Sequence, residues 1–202
     1  MASVVAVPLP IKSTPPVPVL SVYGAGTLSN LAILGTLDHV LDSDFFAYAD
    51  DLDLGLRLNA AGYQVLLAPR SVVYHDTDWH FKWDMRSIRR SLWVTRNTIL
   101  AFYKSSYWDE FLVILPRILL GKLIKAGQNQ KNFPAKLFYG ATGIPLLLIG
   151  LANAFVRMPS FSARRRRSLA QRKMPHGWLT RRLIDEGWKP DPAVWTNLPD
   201  SK

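Results

Sequence analysis

Residues 137–156, LFYGATGIPLLLIGLANAFV, carry no charge. An uncharged run of about 20 residues is long enough to cross a bilayer as a helix. A soluble fold would need a core deep enough to hide it. Pro145 and the glycines predict an irregular helix. A second apolar run, FLVILPRILLGKLI at 111–124, precedes it and is interrupted by Arg117 and Lys122. Basic residues flank the uncharged run on both sides, with Lys122, Lys125, Lys131 and Lys136 before it and Arg157 and Arg164 to Arg167 after it. A single crossing would put one cluster on the wrong side of the positive-inside rule. Two arrangements avoid this. Residues 111–124 and 137–156 form a hairpin that enters the bilayer and returns, or both lie in the interface plane with arginines on anionic headgroups. A buried hairpin of a soluble protein is the remaining alternative. The expected location is the cytoplasmic face of the cell membrane, peripheral, re-entrant or hairpin-anchored.

The rest of the chain reads as globular. Of 202 residues, 49% are hydrophobic and 20% charged, an ordinary balance for a packed domain. Lys and Arg number 25 against 15 Asp and Glu, for a net charge of +10. Such an excess suits an anionic partner or a solvated basic face. Cysteine is absent, which excludes disulfides and thiolate metal sites. The N-terminal stretch is rich in proline and lacks a basic leader, so it makes a poor signal peptide.

Against this basic background, AYADDLDLGLRL sets Asp50, Asp51 and Asp53 almost side by side. Adjacent like charges raise the free energy unless a cation, a hydrogen-bond donor or water answers them. Leu52, Leu54, Leu56 and Leu58 alternate as in a strand. Two acids suited to a helix N-terminus and Gly62 suited to the C′ position argue instead for a helix, with leucines on every side and hence buried. Upstream, VPVLSVYGAG reads as a strand ending in glycines. TLSNLAILGTLDHVL reads as a short helix with Leu28, Leu31, Ile33 and Leu34 inward. YQVLLAP and SVVYH read as strands, with His75 ending the second. Residues 83–107 form an amphipathic helix, with Met85, Ile88, Leu92, Ile99 and Phe102 on one face and Arg86, Arg89, Arg90 and Arg96 largely on another.

The run FFAYADDLDLGLRLNAAGYQVLLAPRSVVYH resembles the C-terminal half of the catalytic domain of family 2 glycosyltransferases, especially the rhamnosyltransferase-like bacterial enzymes. The family's phenylalanine pair, tyrosine and acidic pair are matched by Phe45-Phe46, Tyr48 and Asp50-Asp51. Asp-Leu and the arginine follow as Asp53-Leu54 and Arg57, then Ala61-Gly62-Tyr63, Pro69 and the histidine-ended strand Val72 to His75. Asp50 stands where glutamate is more usual. The similarity spans about residues 22 to 104.

The resemblance implies an α/β fold: a partial A-type, nucleotide-diphospho-sugar transferase-like domain lacking most of its N-terminal half and followed by membrane-associating helices. It implies an inverting hexosyl transfer from a nucleotide-sugar donor to a glycan or lipid-linked acceptor. Asp51 would be the general base and Asp50 would orient the acceptor. Gly24 and Gly26 would lie on the acceptor-side strand. Asp53 and Arg57 would support the geometry as a helical pair, and Arg96-Asn97 would face phosphate or lipid headgroups. His75 would join a divalent metal, Mg²⁺ or Mn²⁺, at the diphosphate. The family's nucleotide-binding half, with its Asp-X-Asp metal motif, has about twenty proline-rich residues in its place. Asp42-Ser43-Asp44 and Asp76-Thr77-Asp78 match only the bare pattern. The resemblance therefore implies a split or truncated enzyme, with a second chain supplying the missing half, or an inactive remnant.

The expected division is a Pro-rich extended segment at 1–21, the acceptor-side half at 22–82, membrane-associating amphipathic and apolar helices at 83–157, and a basic tail at 158–202. A non-enzymatic membrane-surface binding protein is the alternative from another class. Nucleic acid is not an expected partner, because no binding module surrounds the basic run.

Overall fold

The computed structural model describes residues 4–5, 16–21, 24–68, 75–76, 85–128 and 133–184. Helix makes up 68% of it. The long helices are α2 (Asp50–Ala60), α3 (Met85–Ser105), α4 (Trp108–Gln128) and α5 (Phe133–Ala170); α1 (Leu31–Leu34) and α6 (Trp178–Ile184) are short. Strand is confined to two antiparallel pairs: β1 (Val4–Val5) with β4 (His75–Asp76), and β2 (Val17–Pro18) with β3 (Leu66–Leu67).

This overturns the α/β expectation. The chain does not have an α/β A-type glycosyltransferase fold. The apolar face that a central sheet would have covered is covered by helices: α2 packs on α3, and α3 packs along the length of α5. Among the described residues, each strand pairs over two residues only, too few to form a layer. The glycine-ended strand expected at 17–26 is reduced to β2 followed by a turn, in which Gly26 takes φ 105°. The strand expected at 71–75 falls largely outside the described residues, apart from His75 in β4.

The helix reading of the acidic stretch holds. α2 starts at Asp50, ends at Ala60, and is followed by Gly62 at φ 88°. Lys173 and Met174 donate their N–H groups to Ala60 O, so a distant segment seals its last turn. Gly55 faces the 20–21 segment so closely that a Cβ there would collide with the Leu20 carbonyl oxygen. Gly150 does the same for the α3–α5 crossing, where a Cβ would lie 2.8 Å from Thr95.

The core sits where α2, α3, α4 and α5 meet, around Phe45, Leu56, Ile99, Leu100, Phe111 and Phe161. The short helix near 27–41 is a single turn, too short to bury a face, and Leu28 and Leu31 are exposed. α5 runs unbroken through Arg164 to Arg167. Its uncharged portion is two-faced: Leu147, Gly150 and Ala154 face inward, while Leu148, Ile149, Phe155 and Val156 face out. On α4, Leu112, Val113, Leu120 and Ile124 likewise face out.

A buried ion pair ties the chain's C-terminal part to α4. Glu110, in the first turn, accepts the Tyr107 N–H at 2.9 Å, a capping contact. It also accepts two bonds from Arg172 at 2.6 and 2.7 Å and the Gly177 N–H at 2.8 Å. Burial raises the Glu110 pKa, but these donors outweigh it and hold the carboxyl below its ordinary value. Asp42 behaves alike: burial pushes it up, and the Lys104 ammonium, with the Asp44 N–H and Arg164, more than offsets that. A depressed folded-state pKa gives stability that is present above the unfolded pKa and lost as pH falls through the folded one. Asp51, raised in the fold, has the opposite sign. Asp38 and Asp109, at the surface, are also depressed, chiefly by hydrogen bonds from His39 and His176; with four depressed carboxyls against one raised, the melting temperature is expected to hold down to about pH 5 and to fall below about pH 4. Thermal melts across pH 3–8 check this.

Candidate functional site

The acidic helix is launched from an unusual piece of backbone. Phe46, Tyr48 and Ala49 all adopt positive φ, at 60°, 69° and 61°. Side-chain-bearing residues resist this conformation, so three within four positions must be held there by their surroundings. Asn97 on α3 does the holding. Its buried side-chain amide donates to the carbonyls of Phe45, Ala47 and Tyr48 at 2.9, 2.8 and 2.9 Å. Arg96 fixes Asn97 by donating from Nε to its Oδ1 at 2.7 Å, and reaches Phe45 O at 3.4 Å. Phe46 stacks edge-on against Trp93.

Both Arg96 and Asn97 are buried. The structure thus places this pair against the loop that aims the acids, and Arg96 leaves the basic stripe expected for it. Asn97→Ala would take this donor from the Ala47 and Tyr48 carbonyls, leave Phe45 O to the Ala47 N–H and Arg96, and release the strained loop, at a cost of about 3 kcal/mol. The melting temperature is expected to fall by about 10 °C, with α2 losing its first turn. Thermal denaturation and hydrogen exchange at residues 50–53 test this.

Asp51 is half-buried at the start of α2. Its Oδ1 accepts the Leu52 N–H at 2.8 Å and its Oδ2 the Gly24 N–H at 3.2 Å, while Ser21 Oγ donates to its backbone carbonyl at 2.9 Å. Burial raises its pKa, the Leu52 and Gly24 donors oppose this, and the adjacent Asp50 charge adds to the rise. The result is a carboxyl held above the ordinary aspartate range, oriented by backbone donors and still reachable from solvent. Such a group can accept a proton near neutral pH more readily than a free aspartate. Asp50 stands beside it, also half-buried. Gly24 therefore does meet Asp51, whereas Gly26 serves the turn next to it.

Asp53 and Arg57 form the expected i,i+4 pair, with Arg57 Nε donating to Asp53 Oδ2 at 2.9 Å. The pair is interior, with Asp53 fully buried and Arg57 4% exposed. The Arg57 guanidinium also donates to His39 O and Val40 O, both at 2.6 Å. Lys104, fully buried, places its ammonium 2.8 Å from Asp42 Oδ2 and 3.0 and 3.1 Å from the two oxygens of Asp53. Arg164 from α5 completes the chain, at 3.3 Å from Asp42 and 2.8 Å from Asp44. Three cations thus answer three carboxylates in a network joining α2, α3, α5 and the 38–44 loop. Sequence reasoning missed Lys104, Asp42 and Arg164. The available signal was the seven-residue spacing of Asn97 and Lys104, which sets both on one helix face with Leu100 and Ala101.

His75 contributes its backbone to β4; its side chain lies outside the described residues. Among the described residues no group of three metal-ligating side chains converges, and both Asp51 oxygens are taken by N–H donors. The described residues do not by themselves compose a divalent-metal site. In comparisons with protein-family models, curated proteins and solved structures, nothing matches the chain.

Proposed function

We propose that the chain forms the acceptor side of a sugar-transfer site at a membrane surface, with Asp51 as general base. The observation that carries this reading is the half-buried, up-shifted Asp51 carboxyl, clamped by the Gly24 and Leu52 N–H groups at the start of a helix. The order of residues from Phe45 to His75, resembling family 2 glycosyltransferases, supplies the reaction class. In the step, an acceptor hydroxyl attacks the anomeric carbon of a nucleotide-diphosphate sugar. Its proton passes to Asp51, the bond to the diphosphate breaks, and the anomeric configuration inverts. Asp50, half-buried beside Asp51, orients the acceptor.

The outward apolar faces of α4 and α5 support the membrane setting. A polyisoprenoid- or glycolipid-type acceptor would present its sugar at that surface. The test is transfer of label from uridine- and thymidine-diphosphate sugars into the lipid extract of membranes containing the chain. The proposal expects label above that of membranes without it; equal label overturns it.

The same apolar faces favour a second reading, a membrane-surface protein with no catalytic step. The Arg164–Arg167 cluster does not supply its headgroup contacts as a free set. Arg164 pairs with Asp42 and Asp44, Arg165 donates to Tyr103 O and Ser106 O, and Arg167 pairs with Asp38. Vesicle flotation that persists while labelled transfer is absent would favour this reading.

A further inference from the structure

Many arginines of the helical body are consumed by the fold. Arg57, Arg96, Arg164, Arg165, Arg167 and Arg172 each donate to a named carboxylate or backbone or side-chain oxygen. The first two turns of α3 differ. Arg86, Arg89 and Arg90 lie at i, i+3 and i+4, where like charges repel on one helix surface. Arg90 is half-buried and has a partner within the fold. Arg86 and Arg89 are exposed, and among the described residues neither meets a carboxylate. The three arginines line a cleft of about 260 Å³ together with Tyr48, Met85 and Trp93. The Arg89 guanidinium lies 6.0 Å from the centre of the Trp93 ring, which limits its freedom.

The rim of this cleft is apolar. Met85 is 69% exposed, and Phe46, packed on Trp93, is 80% exposed. A guanidinium cluster with an aromatic floor is suited to a compact, multiply charged oxyanion, because planar donor forks match phosphate oxygens. An apolar rim beside such a cluster is what a headgroup with attached acyl chains would meet.

We propose that the Arg86–Arg89–Trp93 cleft binds a phosphate-bearing group, through charge-assisted hydrogen bonds from Arg86 and Arg89. The group is either a free diphosphate or the phosphate of a lipid headgroup. Binding here does not involve Asp51 and stands whether or not the chain transfers sugar.

The test uses two probes on the full chain: titration with pyrophosphate in detergent, and flotation with phosphatidylcholine vesicles with and without phosphatidic acid. Arg86→Gln/Arg89→Gln is compared with Arg166→Gln/Arg181→Gln, which removes the same charge from exposed positions outside the cleft. All four side chains are exposed, so both variants should fold, as melting curves will register. At about tenfold per lost charge-assisted contact, the first variant is expected to weaken phosphate binding about a hundredfold. The control should stay within about threefold of wild type. A loss read with pyrophosphate identifies a free diphosphate as ligand. A loss confined to phosphatidic-acid-dependent flotation identifies a headgroup. The proposal is overturned if wild type takes up neither probe, if the cleft variant matches wild type with both, or if the control loses as much as the cleft variant.

Discussion

Lys104→Met is expected to destabilise the fold by about 4 kcal/mol, the cost of leaving buried carboxylates without their cation. Lys104 is fully buried and is the only ammonium shared between Asp42 and Asp53 among the described residues. Methionine fills a similar volume, so the loss comes from charge and not from a cavity. Asp53 keeps Arg57, whereas Asp42 keeps Arg164, the Asp44 N–H and the 3.8 Å approach of His39. For a chain of this length about 4 kcal/mol corresponds to a melting temperature lower by about 13 °C. The partner substitution sharpens the expectation. With Asp42→Asn added, one of the two stranded charges is gone, and part of the loss should return. Thermal denaturation of wild type, both single variants and the double variant measures the coupling; a double-variant loss equal to the sum of the two single losses would show that Asp42 and Lys104 act independently.

Asp51→Asn is expected to lower the rate of sugar transfer by about 10²- to 10⁴-fold, the usual worth of a positioned general base. The fold should survive it. Asparagine keeps one oxygen to accept from Gly24 or Leu52, and removing the charge relieves the burial that raises the Asp51 pKa. The stability change should stay within about 1 kcal/mol. A transfer rate lost without a matching drop in melting temperature is the signature of a group acting on the reaction. Asn97→Ala, by contrast, should lower both, because it acts on the loop that positions Asp51.

Some of this was legible in the sequence. α2 was readable because its ends are marked locally, by the acids at its start and Gly62 at its end, and these overrode the strand-like alternation of its leucines. The Asp53–Arg57 pair follows from helical spacing alone. The burial of Arg96, Asn97 and Lys104 was not readable, because a polar residue on a core-facing position makes sense only once its partners are known. Those partners, Phe45 O, Tyr48 O and Asp42, lie 49 to 62 residues away in the chain. Of the expected strands, YQVLLAP carries the two-residue β3, paired with the two-residue β2 of VPVLSVYGAG, while most of SVVYH lies outside the described residues; a short apolar run does not tell how long a strand will be or how many partners it will find. The α/β architecture that the resemblance implied is not the one the chain adopts.

The central claim is that an up-shifted Asp51 accepts the proton in sugar transfer, and the pH profile of transfer tests it most directly. In membranes containing wild-type chain, the rate should rise with pH along an acid limb lying above the ordinary aspartate range, as the base ionises. In Asp50→Asn the limb should move to lower pH, because the neighbouring charge that helps hold Asp51 protonated is gone. A limb that stays in place in Asp50→Asn, or an Asp51→Asn variant that transfers sugar at the wild-type rate, would contradict the account.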